Sequence, residues 1–302
     1  MTQDAWSTQG MPDQTGRLVI VTGGTNGIGL RTAQLFAEHG ADVIVGARNA
    51  NKGATVAADL QGRAVGHVTA EEMDLADLAS IERFADRLTL SGRPVDLLVN
   101  CAGVMAIPER EVTRDGFERH LGTNHLGHFA LTGRLLPLLR TASSARVITV
   151  SAQSARSVRL DLADLQSERS YAPMRAYSRS KLANILFAVE LGARFERTSL
   201  SSVAVHPGTA NTGIQQHQRG AVTKWLGRRI MQAVGQPLDH VADPIVFAAT
   251  TEHLASETFV APTGLWELGG APGLVPLPKA ALDGDLRQAL WQESERLTGV
   301  HF

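Results

Sequence analysis

The feature that most constrains this chain is a glycine-rich turn between a short apolar run and a helical pattern. The segment Thr22–Gly29 reads TGGTNGIG, so Gly23, Gly27 and Gly29 have the spacing GxxxGxG. A strand that ends at such a turn and leads into a helix leaves unpaired N–H groups at the helix N-terminus, where negative charge is favoured. Glycine also lets phosphates and the helix approach the backbone closely. The turn therefore predicts a nucleotide site.

Apolar runs alternate with helical patterns along the chain. The predicted buried strands are Leu18–Val21, Val43–Val45, Val95–Val99, Val147–Val150 and Val203–Val205, with a weaker one at His67–Met73. The predicted helices are Ile28–His39, Ala50–Leu60, Leu78–Leu90, Gly116–Leu139 and Ala176–Arg197, with a further one near Leu286–Leu297. Continuous β-branched runs are typical of a parallel sheet covered on both faces. The alternation predicts an α/β fold with a doubly wound parallel sheet of the Rossmann type, which binds ligands at the carboxyl ends of its strands.

The length of 302 residues suits one large α/β domain, and nothing in the sequence requires two. Residues 1–16 are polar and predict a flexible leader before a domain at 17–302. Within that domain, residues 209–237 predict a substrate lid, and the tail from Pro262 predicts a C-terminal extension.

Composition limits the classes of partner. The net charge of -1 gives no basic footprint for nucleic acid, and no apolar run is long enough for a membrane span. The single cysteine, Cys101, excludes an internal disulfide and fits a cytoplasmic location. No metal is expected, because His125 and His128 have no third ligand near them in the sequence. The expected partner is a small, partly apolar substrate, and homo-oligomerisation is left open.

Tyr177 and Lys181 lie four residues apart in a predicted helix, which places a phenol and an ammonium on one helical face. A nearby cation is expected to lower the pKa of the phenol toward the range useful for proton transfer. An isolated pair of this kind is more often a surface contact. The glycine turn in the same chain favours an acid–base pair instead.

With these motifs the chain resembles the short-chain dehydrogenase/reductase superfamily. The matching segments are the turn Thr22–Gly29, the segment Asn100–Gly103, Asn124 in the long central helix, the pair Tyr177 and Lys181, and Pro207, Gly208 and Thr212. The segments Ala176–Asn184, Glu267–Pro272 and Trp291–Val300 are most similar to the retinol-dehydrogenase-like branch.

The resemblance implies an oxidoreductase that interconverts an alcohol and a ketone or aldehyde by hydride transfer, with Tyr177 as proton donor. Lys181 would modulate Tyr177 and bind the nicotinamide ribose, and Asn124 would keep a water on a proton path to Lys181. The implied cofactor-binding residues are Gly23, Thr25, Asn26, Gly27, Ile28, Gly29, Arg48, Asp74, Leu75, Asn100, Ala102, Gly103, Tyr177, Lys181, Pro207, Gly208 and Thr212.

The end of the second strand indicates NADP(H) rather than NAD(H). A site for NAD needs a carboxylate there to bind the ribose 2′-hydroxyl, and Ala47 supplies none. Arg48 can instead pair with a 2′-phosphate through its planar guanidinium.

The sequence departs from the superfamily at the usual catalytic serine, where it has Ala152. Ser151 is one residue earlier and should face the opposite side of an extended chain, whereas Ser154 has the parity of residue 152 but lies further along a loop. Either serine can supply the hydroxyl if the backbone bulges there, and Ser154 is the candidate replacement. Loss of one such donor costs about 100- to 1000-fold in rate. The departure leaves two alternatives open: a reductase of C=C bonds, or a catalytically weak NADP(H)-binding sensor or scaffold.

Overall fold

A computed structural model describes residues 6–208, 240–252 and 254–302, and in these residues eight strands form one sheet. The sheet order is β3-β2-β1-β4-β5-β6-β7-β8. The strands are β1 Leu18–Thr22, β2 Asp42–Ala47, β3 Val68–Glu72, β4 Leu97–Asn100, β5 Ala145–Val150, β6 Leu200–Val205, β7 Phe259–Pro262 and β8 Pro272–Val275. All neighbours pair in parallel except β8, which runs antiparallel to β7.

Helices connect these strands. They are α1 Gly27–Glu38, α2 Ala50–Gln61, α3 Leu78–Ser91, α4 Arg119–Leu121, α5 Gly127–Thr141, α6 Pro173–Arg194, α7 Asp243–Thr250 and α8 Gly284–Thr298. A π-helical turn at Gly122–Leu126 joins α4 to α5. No helix in the described ranges is both long and apolar enough to cross a membrane.

The sheet is covered on both faces, as its strand sequences require. On β1, Val19 and Val21 pack with the side of the core formed by α1, α2 and α7, whereas Leu18 and Ile20 pack with α3 and α5 on the other side. Because successive side chains of a strand point to opposite faces, a strand with a continuous apolar run must be covered on both faces of the sheet. The predicted doubly wound α/β fold is confirmed.

The order of the strands places a crevice at the carboxyl ends of β1 and β4. The connection after β1 leads away toward β2 and β3, while β4 and β5 extend the sheet in the opposite direction. Open α/β sheets bind ligands at such a switch point, since the loops after the two central strands diverge there.

An aromatic cluster attaches the C-terminal helix α8 to the domain. The Trp291 ring lies 5.1 Å from the Phe129 ring and 4.6 Å from the Phe302 ring, and Arg194 stacks over it at 4.3 Å. Trp291 is almost fully buried. Aromatic pairs of this geometry each add about 0.5–1.5 kcal/mol beyond the burial of their area. The extension is therefore part of the folded core.

Several boundaries differ from those predicted. Residues 6–16 do not form a free leader, because Met11 and Gln14 are buried and Trp6 packs edge-on against Phe247. The helix predicted from Gly116 begins at Arg119 and passes through the π-turn. The strands β7 and β8 and the helix α7 were not predicted. The predicted lid at 209–237, including Thr212, lies outside the described residues.

Candidate functional site

The glycine turn after β1 forms a cradle that only glycine permits. Gly23 and Gly27 have φ angles of 68° and 54°, in the left-handed region that favours glycine. A Cβ atom on Gly23 would lie 2.9 Å from Cα of Ala102, and one on Gly29 would lie 2.6 Å from the carbonyl oxygen of Gly23. Asn26, at the start of α1, makes no side-chain capping bond. The turn thus keeps space and N–H donors for an anionic group, which fits the pyrophosphate of a dinucleotide.

This cradle forms one end of a cleft of about 350 Å³ at the carboxyl edge of β1, β2, β3 and β4. Most of the proposed cofactor residues line it: Gly23, Thr25, Asn26, Gly27, Ile28, Gly29, Arg48, Asp74, Leu75, Ala102 and Gly103. Sequence reasoning did not predict six further residues that line the cleft: Gly46, Ala47, Met73, Cys101, Val104 and Thr123. Ala47 was considered only for the carboxylate that it lacks. Most of these six follow or end a strand, so the rule that ligands bind at strand ends could have identified them. Thr123 had no such signal, because it belongs to the π-turn.

Asn100 is not among the residues that line the cleft, and the backbone contact with the cofactor that the resemblance implies for it stays a prediction. Its side chain is fully buried, and its Nδ2 donates to Oγ1 of Thr132 at 3.1 Å. Asn100 is the last residue of β4, and its side chain bonds to α5 in the core. Pro207 and Gly208 lie beyond β6, also outside this cleft, and Gly208 has a φ of 81°.

Asp74 is oriented by its own loop. One oxygen of its carboxylate accepts the N–H of Ala76 at 2.9 Å, and its N–H donates to Oγ of Ser80 at 3.0 Å. Arg48 also lines the cleft and is exposed, next to the buried Ala47. The cleft is therefore lined by a carboxylate that its own loop orients and by an exposed guanidinium.

Tyr177 and Lys181 are on the first turns of α6, and Lys181 reaches the edge of the cleft. Its Nζ donates to the carbonyl of Val150 at 3.0 Å, and a Cβ on Gly103 would lie 3.3 Å from that nitrogen. Burial lowers the pKa of Lys181 to about 8. Burial also raises the pKa of Tyr177 to about 12, so the expected lowering by the neighbouring cation is not found in this structure. Because the phenol stays protonated at neutral pH, Tyr177 is suited to donate a proton rather than to accept one.

Asn124 connects the π-turn to the loop after β4. Its Oδ1 accepts the N–H of Val104 at 2.8 Å, and its Nδ2 donates to the carbonyl of Val104 at 3.0 Å and to Oγ of Ser180 at 2.9 Å. These bonds satisfy the amide and align the Val104 loop with α6. The predicted water on a path to Lys181 stays a prediction.

Thr22 and His128 also hold the loop after β4 in place. Sequence reasoning did not identify either of them as a positioning residue. The His128 Nδ1 donates to the carbonyl of Asn124 at 2.8 Å, so its Nε2 accepts the Thr22 hydroxyl at 2.9 Å. The Thr22 oxygen in turn accepts the N–H groups of Cys101 and Ala102, each at 2.9 Å. Burial lowers the pKa of His128 to about 3, which keeps the ring neutral in this tautomer.

The two candidate serines have different environments. The hydroxyl of Ser151 donates to the carbonyl of Lys181 at 2.7 Å, so it faces the backbone of α6, as the strand parity predicts. Ser154 is on a 3₁₀ turn, Gln153–Ser157, and its buried Oγ has no hydrogen-bond partner among the described residues. A buried hydroxyl without a partner is costly, and a catalytic role is one of the explanations for such a group. Of the two, only Ser154 has a hydroxyl without a hydrogen-bond partner among the described residues.

Comparison with known proteins agrees with this geometry. The sequence model described as short chain dehydrogenase matches residues 17–222, which is more than half of the chain. The chain belongs to the short-chain dehydrogenase family. It is 36% identical to human retinol dehydrogenase 13 over 94% of this chain and 85% of that protein. It is 37% identical to mouse polyprenol dehydrogenase over 96% of this chain and 86% of that protein.

Solved structures extend the comparison. A crystal structure of an uncharacterised protein from Mycobacterium paratuberculosis shares 36% identity and a TM-score of 0.81 and covers 99% of both chains. An NADP active-site complex of RhlG from Pseudomonas aeruginosa shares 26% identity and a TM-score of 0.69, over 85% of this chain and 98% of that chain. As a short-chain dehydrogenase of the retinol-dehydrogenase-like branch, the chain is an oxidoreductase whose cleft suits a nicotinamide cofactor.

Proposed function

We propose that this short-chain dehydrogenase is an NADP(H)-dependent enzyme that interconverts an alcohol and its ketone or aldehyde. The observation that carries the proposal is the position of Tyr177 and Lys181 on the first turns of α6, where Nζ of Lys181 approaches Gly103 of the cofactor cleft. A proton donor, a cation and a dinucleotide cradle at one sheet edge are the groups that carbonyl reduction needs.

The residues of the chain would divide the work as follows. When bound, the nicotinamide cofactor supplies the hydride for reduction or accepts it in the reverse direction. The Tyr177 hydroxyl gives its proton to the substrate oxygen as that oxygen gains negative charge. Lys181, whose pKa is lowered to about 8 by burial, is still mainly charged at neutral pH and stabilises the phenolate that remains. The Ser154 hydroxyl donates a hydrogen bond to the same oxygen.

NADP(H) is the cofactor in this proposal, because Arg48 is exposed at the rim of the cleft and Ala47 gives no carboxylate for a ribose hydroxyl. Titration of the purified protein should give a lower Kd for NADPH than for NADH. Arg48→Ala should remove most of that difference, by about 10-fold or more for a charge-assisted contact of about 1.5–3 kcal/mol. Arg63→Ala removes an exposed cation outside the cleft and is the matched control. Tighter binding of NADH by the unaltered protein would refute the choice.

The proposed substrate carries an apolar chain. Two similar proteins are named for retinol and for polyprenol, both alcohols with long apolar parts. We expect kcat/KM for aldehydes to rise with chain length in a panel of straight-chain compounds assayed with NADPH. A flat or falling series would exclude this substrate class. Turnover of conjugated enones at the C=C bond, with none at the carbonyl, would favour the alternative reductase reading.

A catalytically weak sensor or scaffold is the remaining alternative, and Ala152 was its main support. The available hydroxyl of Ser154 weakens that support. Binding of NADPH without turnover of any carbonyl in the panel would restore it. A cytoplasmic location is also part of this proposal, supported by the single cysteine, and fractionation of cells that express the protein tests it.

A further inference from the structure

An ion pair that no motif accounts for joins the Ser154 turn to the far end of the sheet. Arg156 is two residues after Ser154, and Glu267 is in the turn between β7 and β8. Nε of Arg156 donates to Oε2 of Glu267 at 3.1 Å, and its terminal nitrogen donates to Oε1 at 2.8 Å. Two nitrogens of one guanidinium thus bond the two oxygens of one carboxylate, which is the strong form of an arginine–carboxylate contact. We call this contact the fork.

The guanidinium of Arg156 has further partners on this edge. The same terminal nitrogen donates to the carbonyl of Pro276 at 2.7 Å, just after β8, and the group lies 5.1 Å from the centre of the Phe259 ring on β7. The Arg156 side chain is 25% exposed and that of Glu267 20% exposed, so water screens the pair only in part. Arg156 therefore connects the turn after β5 with two other elements.

The backbone around Glu267 has an uncommon conformation. Trp266 and Glu267 have φ angles of 52° and 59°, in the left-handed region that side chains disfavour. Two such residues in succession are maintained only when the surrounding contacts hold them, and they occur often at functional sites. The contact with Arg156 is the strongest one that Glu267 makes among the described residues.

His206, the residue after β6, lies beside this pair. It is 3% exposed, and its Nδ1 accepts the N–H of Gly208 at 3.3 Å. Burial, helped by the charge of Arg156, lowers the pKa of His206 to about 4, while the Glu267 backbone opposes this shift. Both residues therefore act on His206, which directly precedes the segment Pro207–Gly208 that the resemblance places near the nicotinamide.

We propose that Arg156 and Glu267 are positioning residues, which hold the 3₁₀ turn at 153–157 so that the Ser154 hydroxyl faces the reacting carbonyl. The role of Ser154 in this inference rests on the proposed function. The claim that Arg156 and Glu267 hold the turn at 153–157 does not depend on that function. Arg156 anchors the turn from its C-terminal half, and strand β5 anchors it from the other side. Without the contact between Arg156 and Glu267, the turn keeps strand β5 and the buried Ala155 as anchors but loses the one in its C-terminal half, and Ser154 loses its orientation.

The first test measures the turn itself and needs no substrate. The N–H of Ala155 donates to the carbonyl of Ala152 at 3.0 Å within this turn, and Ala155 is buried. Hydrogen exchange of peptides that cover 153–157 should be clearly faster in Arg156→Gln than in the unaltered protein. The matched control is Arg296→Gln, which breaks a fork of the same kind to Glu293 on α8. Unchanged exchange in Arg156→Gln would overturn the proposal.

The second test measures catalysis. Arg156→Gln should lower kcat for carbonyl reduction by about 10- to 100-fold, the effect of a displaced catalytic group, and leave the Kd for NADPH within about twofold. Glu267→Gln should also lower kcat, and the double variant should lose no more than Arg156→Gln alone, since Glu267 acts through Arg156. Arg156→Lys keeps the charge without the fork and should recover part of the rate.

The outcomes separate this inference from the proposed function. Faster exchange together with an unchanged kcat would refute the positioning role and leave the proposed reaction intact. Additive losses in the double variant would also refute it, because the two residues would then act independently. Absence of any carbonyl turnover by the unaltered protein would refute the proposed function, while the exchange experiment would still decide whether the fork holds the turn.

Discussion

At the scale of single residues, the two tyrosines of the chain provide a direct test of the chemistry. Tyr177→Phe removes the phenolic proton and should lower kcat by about 100-fold or more, while NADPH still binds, because a general acid contributes about 100- to 10,000-fold. Tyr171 is the matched control: its hydroxyl donates to the carbonyl of Ile107 at 2.7 Å, away from the cofactor cleft. Tyr171→Phe should cost about 1 kcal/mol of stability and little activity. Steady-state kinetics and cofactor titration measure both variants. Full activity in Tyr177→Phe would contradict the assignment.

The serines near Ala152 give a second test at this scale. Ser154→Ala should lower kcat by about 100-fold or more if its hydroxyl stabilises the substrate oxygen. Ser151→Ala should instead lower the free energy of unfolding by about 1 kcal/mol, because its hydroxyl only bonds the carbonyl of Lys181. Ala152→Ser should change kcat little, since the role is already filled. Kinetics and urea unfolding of the three variants distinguish these effects, and a large rate gain in Ala152→Ser with a silent Ser154→Ala would show that no serine now serves.

At the scale of elements, the loop after β4 depends on one buried hydroxyl. Thr22→Val would leave the N–H of Ala102 and the Nε2 of His128 without their partner, and the N–H of Cys101 would keep its bond to the carbonyl of Val99. We expect a loss of about 3 kcal/mol in the free energy of unfolding and weaker binding of NADPH, because this loop lines the cleft. Thr22→Ser keeps the hydroxyl and should cost about 1 kcal/mol for the lost methyl group. Urea unfolding of both variants checks this, and equal losses would mean that packing, not the hydroxyl, matters.

The elements that the sequence predicted are those with a strong periodic signal. The β1 run is apolar on both faces because both are buried, so its strand was clear from the residues alone. The edge strand β8 begins at Pro272, is half-exposed and pairs on one side only, so it carries no such signal. The π-turn at Gly122–Leu126 depends on the tertiary bonds of Asn124, which a periodic pattern does not contain.

In the candidate site, too, residues with a local sequence signal were predicted, and residues that depend on tertiary contacts were not. The glycine turn and the pair Tyr177 and Lys181 were predicted from local spacing, and Asp74 was added from the resemblance to the family. The partners of Thr22 lie 79 to 106 residues away along the chain, and Arg156 is 111 residues from Glu267. Only the folded chain brings such residues together, so sequence spacing gave no hint of them. The raised pKa of Tyr177 was missed for a related reason, since burial is a property of the packed structure.

At the scale of the whole molecule, three buried histidines make the fold sensitive to acid. Burial lowers the pKa of His125 to about 4, that of His128 to about 3 and that of His206 to about 4. In the unfolded chain a histidine titrates near pH 6.5, so between about pH 6.5 and 4 the unfolded state binds more protons than the folded state. The free energy of unfolding is therefore not reduced by these histidines above about pH 6.5, and it falls below that pH because protonation favours the unfolded chain.

This linkage predicts a slope that can be measured. Each buried histidine contributes up to about 1.4 kcal/mol per pH unit, so the three together contribute up to about 4 kcal/mol per unit. Urea unfolding at intervals from pH 7.5 to 5 should show stability falling below pH 6.5, before carboxylates such as Asp42 and Asp77 act, because their lowered pKa values place their effect below about pH 4. His125→Gln keeps a donor for Oγ of Ser294 and should reduce the slope by about one third. A slope that is unchanged in this variant, or stability that rises as the pH falls, would contradict the neutral, buried state of these rings.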